Sequence, residues 1–140
     1  MAELTTLKLS VVTPDRSILK ETAVESLVLP GAMGQFNILP GHTNFITTLS
    51  HGVFGYRVNG EWSIAFLRGG FTQVCGGAVT VLAETVEMAN ELDLARAEAE
   101  LQTLTAKLKS VKAGSDEYTV LAKGINEAGS RVRAARKKLH

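Results

Sequence analysis

Apolar residues recur with two different periods along this chain, and the change from one to the other comes near Asn90. Between residues 4 and 86 the period is two. In TLKLSVV, Leu7, Leu9 and Val11 alternate with Thr6, Lys8 and Ser10, the pattern of a strand with one buried face. WSIAFL sets Trp62, Ile64 and Phe66 on one side, and VTVLAETV does the same with Val79, Val81 and Ala83. Turn formers punctuate the runs: TPD at 13–15, PGAMG at 30–34, PGH at 40–42 and SHG at 50–52. Asn59-Gly60 lies between two strand patterns, and Asn-Gly suits the positive φ angles of a two-residue type I′ hairpin. Gly76-Gly77 offers a second turn of that kind. About ten short strands with turns this frequent predict a β-sandwich or a flattened barrel.

Beyond Asn90 the spacing is helical. Leu94, Ala97, Leu101, Leu104, Leu108 and Val111 form one apolar seam, and Tyr118, Leu121, Ile125, Ala128, Val132, Ala135 and Leu139 form another. The break KAGSDE is short, which makes the two helices antiparallel neighbours. Asn90 with Asp93 three residues on is read as the first N-terminal cap, Gly114 as the stop, and Ser115 as the second cap. The predicted architecture is therefore a β-sandwich over residues 1–89 followed by an antiparallel two-helix hairpin over residues 90–140. Alanine dilutes both seams, and Gly124 and Gly129 each cost about 1 kcal/mol relative to alanine inside a helix. Such a hairpin is marginal alone and must lean on the sandwich or on another protein.

Composition narrows the function classes. Net charge is +1, which gives no bulk attraction to nucleic acid or membrane. Residues 1–89 hold 5 Lys and Arg against 7 Asp and Glu, and residues 90–140 hold 10 against 7. The densest basic stretch, RVRAARKKLH, has no interleaved aromatics and no accompanying RNA- or DNA-binding fold, so nucleic acid is not expected as a partner. No apolar stretch reaches the roughly 18 residues that span a bilayer. The beginning, MAELTTLKLS, has neither signal-peptide nor transit-peptide character, which predicts a chain made without a presequence. Cys75 is the single cysteine, and its mid-strand position reads as a small buried apolar residue. His42, His51 and His140 show no metal-ligand spacing. Neither a Gly-x-Ser-x-Gly elbow nor a His-Glu-x-x-His motif occurs, and an independent enzyme is not expected. One unusual loop remains, NILPGH at 37–42. Proline and glycine hold its backbone shape, and such loops on a rigid sandwich are common docking surfaces.

In order along the chain, GQFNILPGH, GVFGYRV, FLRGGFTQVCGGAVTVLAET and LDLARAEAEL resemble the epsilon subunit of the rotary proton-translocating ATP synthase. The resemblance spans nearly the whole chain. It implies a non-catalytic rotor component of the central stalk, coupling proton translocation to ATP synthesis and restraining ATP hydrolysis through its hairpin. The sandwich would dock on the gamma subunit and the c-ring, and the extended hairpin would reach the alpha/beta catalytic hexamer. The setting implied is peripheral, on the cytoplasmic face of a bacterial inner membrane, with a plastid thylakoid as the alternative. Gly34, Phe36, Ile38, Pro40, Gly41 and His42 match the family's docking loop. Gln35 stands at its common acid and Asn37 at its common glycine, where asparagine tolerates a left-handed backbone. The resemblance thus assigns Gln35, Asn37 and His42 to docking.

The same resemblance implies a regulatory ATP and no other cofactor. Leu92, Asp93, Arg96 and Ala97 match the family's nucleotide motif, with Glu87 as the upstream acid. Arg133 and Lys137 stand at its basic pair, the lysine replacing an arginine, and Thr103 stands where some members carry another arginine. A purely local reading of the same residues has Asp93 capping the helix and Arg96 pairing with Glu100 at i,i+4. Outside the resemblance, the alternative function is a stand-alone small-ligand-binding sandwich that dimerises through its hairpin.

Overall fold

The computed structural model describes residues 6–41 and 43–138. The strands, in chain order, are β1 (Leu7–Val12), β2 (Ser17–Val24), β3 (Ser26–Gly31), β4 (Gly34–Ile38), β5 (Phe45–Thr48), β6 (His51–Val58), β7 (Glu61–Arg68), β8 (Phe71–Cys75), β9 (Ala78–Leu82) and β10 (Thr85–Met88). A 3-10 turn (Ala89–Glu91) leads into α1 (Leu94–Lys109) and α2 (Asp116–Ala135). The strands form two five-stranded sheets, ordered β2-β1-β9-β8-β5 and β10-β7-β6-β3-β4. All pairings between neighbouring strands are antiparallel except β1 with β9, which run parallel with Leu9 opposite Val79.

The predicted turns form. Asn59 and Gly60 have φ of 51° and 78°, and Gly76 and Gly77 have 58° and 81°, the left-handed pair that a two-residue hairpin requires. Between the sheets lies a core of Leu7, Leu9 and Val11 from β1, Val79 and Val81 from β9, and Leu27, Leu29, Phe54 and Leu67 from the facing sheet. Removing such side chains from water stabilises the fold by about 1.5–3 kcal/mol each before entropy is counted.

The β7 alternation works differently from the sequence expectation. Ala65 and Leu67 point into the sandwich, while Ile64 and Phe66 join Val53, Ala89 and Ala134 in a second apolar layer. Helix α2 lies over the outer face of this sheet, so β7 is buried on both sides and its apolar run is continuous. Trp62, read as part of the buried face, is exposed near the hairpin turn. Cys75 is also exposed, because it ends β8 on the parity opposite to the buried Thr72 and Val74.

The hairpin is antiparallel, with two corrections at its ends. Asn90 falls in the 3-10 turn, and the cap of α1 is Asp93, whose carboxylate accepts the Arg96 N–H at 3.1 Å. Helix α1 ends at a Ser110 cap, and Gly114 (φ 86°) lies in the connecting loop. Ser115 caps α2 as expected, accepting the Tyr118 N–H at 3.1 Å. On α1 only Ala97 is fully buried, and Leu101, Leu104 and Leu108 are half-buried. The hairpin leans on the sandwich through its root, where Ala128, Ser130, Val132 and Ala134 are buried.

Candidate functional site

Two regions carry the sequence-predicted site residues. The first is a cavity of about 350 Å³ at the root of the hairpin, walled by Glu87, Glu91, Asp93, Arg96, Glu100 and Arg131. Glu87 projects from β10, opposite Phe66 in the ladder. Asp93 caps α1, Arg96 comes from its first turn, Glu100 from its next turn and Arg131 from α2. Arg131 is the centre of the group. One Nη donates to Glu87 Oε1 at 3.0 Å, and the other stands 3.7 Å from Glu100 Oε2. Its guanidinium carbon sits 4.8 Å from the centroid of the Phe66 ring, a cation–π contact. Its Nε is buried without a hydrogen-bond partner. Glu91 closes the near wall. Its carboxylate accepts the Met88 N–H at 3.1 Å and pairs with Arg16 at 3.2 Å. That backbone hydrogen bond, aided by the guanidinium, holds the carboxyl below its ordinary range.

Glu87, Asp93 and Arg96 are thus brought together, but Arg133 and Lys137 are not part of this cavity. Two residues along an α-helix turn the side chain by about 200°, so Arg131 and Arg133 project to different faces. Arg133 donates to Ser130 Oγ at 3.0 Å and lines a separate cavity of about 460 Å³ with Gln35, His51 and Gly52. Lys137 has already left the helix. Its φ is 59°, its N–H donates to the Ala134 carbonyl, and the Lys138 N–H donates to the Arg133 carbonyl. This is the 6→1, 5→2 pattern that ends a helix with a left-handed residue. Glu100 pairs with Arg131 rather than with Arg96, and Arg96 makes no ion pair with a described residue. The signal for Arg131 was present in the spacing: it lies three residues beyond the buried Ala128, on the seam side of α2, whereas Arg133 lies five beyond.

These residues do not fit a polyphosphate. Four carboxylates line the cavity against two guanidiniums, and that of Arg131 is already engaged by Glu87 and Glu100. Among the described residues no group of three or more His, Cys, Asp or Glu is placed to hold a metal ion.

The second region is the edge where β4 and β5 meet. Phe36 and Phe45 pack edge to face with ring centroids 5.9 Å apart. They floor a groove of about 400 Å³ with Met33 and Ile46. Met33 is fully exposed and Ile46 is 66% exposed. Gln35 and Asn37 are exposed on β4, so they belong to a strand rather than to a loop. Asn37 is not left-handed; the positive φ values here belong to Gly34 and Gly41. His42 lies outside the described residues. From Ser26 to Tyr56 the sequence carries no Asp, Glu, Lys or Arg, and the flanking Glu25 and Arg57 approach each other at 3.7 Å.

A ten-stranded sandwich with an apolar, uncharged edge thus carries a helical hairpin folded over one of its sheets. The model for the β-sandwich domain of the ATP synthase delta/epsilon chain matches residues 6–89. The epsilon chain of Geobacter sulfurreducens is 38% identical over 131 residues, covering 94% of both chains. Epsilon chain 2 of Syntrophotalea carbinolica is 37% identical over 129 residues, covering 92% of this chain and 93% of the relative. The epsilon chain of Prochlorococcus marinus strain MIT 9313 is 38% identical over 132 residues, covering 93% and 98%. In fold, the chain superposes on a chain of the Euglena gracilis mitochondrial ATP synthase, OSCP/F1/c-ring, with a TM-score of 0.73 at 17% identity. That match covers 97% of this chain and 81% of the other. The chain belongs to the ATP synthase delta/epsilon family, among its epsilon chains, which are non-catalytic subunits. No described helix is long and apolar enough to cross a membrane.

Proposed function

We propose that this chain is a central-stalk rotor subunit that couples proton translocation to ATP synthesis. The sandwich joins it to the gamma subunit and the c-ring through the β4–β5 edge, and the subunit sits peripherally on the cytoplasmic face of a bacterial inner membrane. Its hairpin restrains ATP hydrolysis when it leaves the sandwich and reaches the alpha/beta hexamer, led by the basic end Arg131, Arg133, Arg136, Lys137 and Lys138. The carrying observation is the edge itself, where Met33 and Ile46 stand exposed beside the Phe36–Phe45 pair in a stretch with no charged side chain. Apolar side chains left in water beside a groove favour a partner that covers them.

Association through such an edge depends on apolar burial more than on ion pairs, so it resists salt. The test is co-purification of full-length chain with gamma and c-ring at low and high salt. Wild type remains bound in both. Ile46→Asp and Met33→Glu release the chain without changing its melting temperature, because neither side chain contributes to the core. If both variants remain bound, docking lies elsewhere. Hydrolysis and synthesis by assembled enzyme lacking residues 90–140 test the second half: hydrolysis rises and synthesis persists. Unchanged hydrolysis would remove the inhibitory role.

A further inference from the structure

We propose that Glu100 occupies the anion position beside Arg131, so the folded-down hairpin is fastened by the chain's own carboxylates and takes up no nucleoside polyphosphate. This deepens the reading of the hairpin as a movable regulator and rests on it. One guanidinium ties three elements: Glu87 on β10 at 3.0 Å, Glu100 on α1 at 3.7 Å and its own helix α2. The Phe66 ring beneath it keeps water from one face and strengthens both attractions.

Arg131 gives one hydrogen bond to Glu87 and a longer ion pair to Glu100, and its Nε is enclosed without an acceptor. Arg96 is the remaining cation of the cavity, and it faces a wall of Glu87, Glu91, Asp93 and Glu100. A polyphosphate entering there must displace Glu100 from Arg131 and then lie among like charges, which disfavours it. Extension of the hairpin demands the separation of α2 from β10 and of Arg131 from Glu87. The fastening and the regulated movement are one event. Ionic conditions, rather than nucleotide concentration, then set how firmly the hairpin is held.

Exposure bounds the size of the effect. The Arg131 side chain is 23% exposed, Glu87 35% and Glu100 51%, so each pair is screened in part. Hydrogen exchange of the full-length chain reads the opening of α2 directly. Glu100→Gln should speed exchange of the 127–134 amides by about twofold to fivefold, and Glu87→Gln by about tenfold. Amides of β1 and β9 stay unchanged, which excludes general unfolding. Near 1 M salt, where the Debye length is about 3 Å, the difference from wild type shrinks. Glu98→Gln, at the exposed pair with Arg136, serves as the control and moves α2 exchange little. In parallel, calorimetric titration of wild type with magnesium ATP to millimolar concentration should give no saturable heat. Saturable ATP binding by wild type overturns the proposal, and so does α2 exchange that neither Glu variant changes. Both measurements use the isolated chain, so such a failure leaves the coupling role to be judged separately in the assembled enzyme.

Discussion

Replacing Phe66 by alanine separates the two apolar layers of this protein. Phe66 is fully buried, but its contacts are in the outer layer with Val53, Ile64, Ala89 and Ala134, beneath the Arg131 guanidinium. Truncating a buried phenylalanine costs about 3–5 kcal/mol, and losing the cation–π contact adds about 0.5–1 kcal/mol. The outer layer consists of a few side chains, and its gross burial of about 1.5–3 kcal/mol per large residue is offset by the entropy of fixing the hairpin. The expected loss therefore rivals the whole margin that holds the hairpin down. Phe66→Ala should release α2 before it unfolds the sandwich. Three kcal/mol corresponds to a little over a hundredfold, so exchange of the α2 root amides should rise by about that factor, up to the limit set by the hairpin's own stability. Amides of β1, β8 and β9, whose core excludes Phe66, should keep their protection. An equal drop of protection in α2 and in those strands would refute this separation, since layer and core would then be one cooperative unit.

Three further outcomes follow from the geometry. Glu91 has a folded pKa held below its ordinary 4.5, by the Met88 N–H first and then by Arg16. Its contribution is present above 4.5 and lost as pH falls through the lower folded value. Glu91→Gln should thus lower the melting temperature near pH 7, and the two melting curves should converge as the pH drops below 4.5. Gly70 has φ of 103°, and a Cβ there would stand 1.8 Å from the Leu82 carbonyl oxygen. Gly70→Ala should cost at least about 3 kcal/mol, visible as a fall in the urea midpoint. Cys75, being exposed, should react fully with a thiol reagent in the native chain, whereas a buried cysteine would wait for unfolding.

The strands of the first sheet were legible because one face of each is polar, so Leu7, Leu9, Val11, Val79 and Val81 stand out by alternation. Alternation was ambiguous for β7. A strand covered on both sides has no polar face to fix its parity, and which layer Phe66 joins depends on where α2 comes to rest. Both glycine-bearing hairpin turns were readable since only certain residues accept paired positive φ. Of the residues expected at the nucleotide pocket, Glu87, Asp93 and Arg96 line one cavity, whereas Arg133 and Lys137 lie away from it. RVRAARKK supplies cations at nearly every phase of a helix, so charge alone cannot say which one faces β10. The phase relative to Ala128 separates Arg131 from Arg133, and the contact with Glu87 marks Arg131 as the one on β10. That the helix ends before Lys137 was not legible, because a non-glycine residue in the left-handed region leaves no compositional mark. The uncharged edge was fully written in the sequence, but its closing groove needed Phe36 and Phe45 to meet across two sheets.

The single parallel pair, β1 with β9, places Leu9 opposite Val79. It therefore joins residues far apart in a chain whose other ladders are mostly local. Closing so long a loop costs entropy before the contact repays it. During synthesis β1 can zip to β2 early, but the first sheet lacks its centre until β9 has left the ribosome. Meanwhile Leu7, Leu9 and Val11 lack their in-sheet neighbours Val79 and Val81, and the inner edge of β1 is a bare row of amides and carbonyls. The slow step of folding is then the arrival of the β8–β9 hairpin between β1 and β5. A nascent chain stalled before residue 82 is the form most exposed to aggregation.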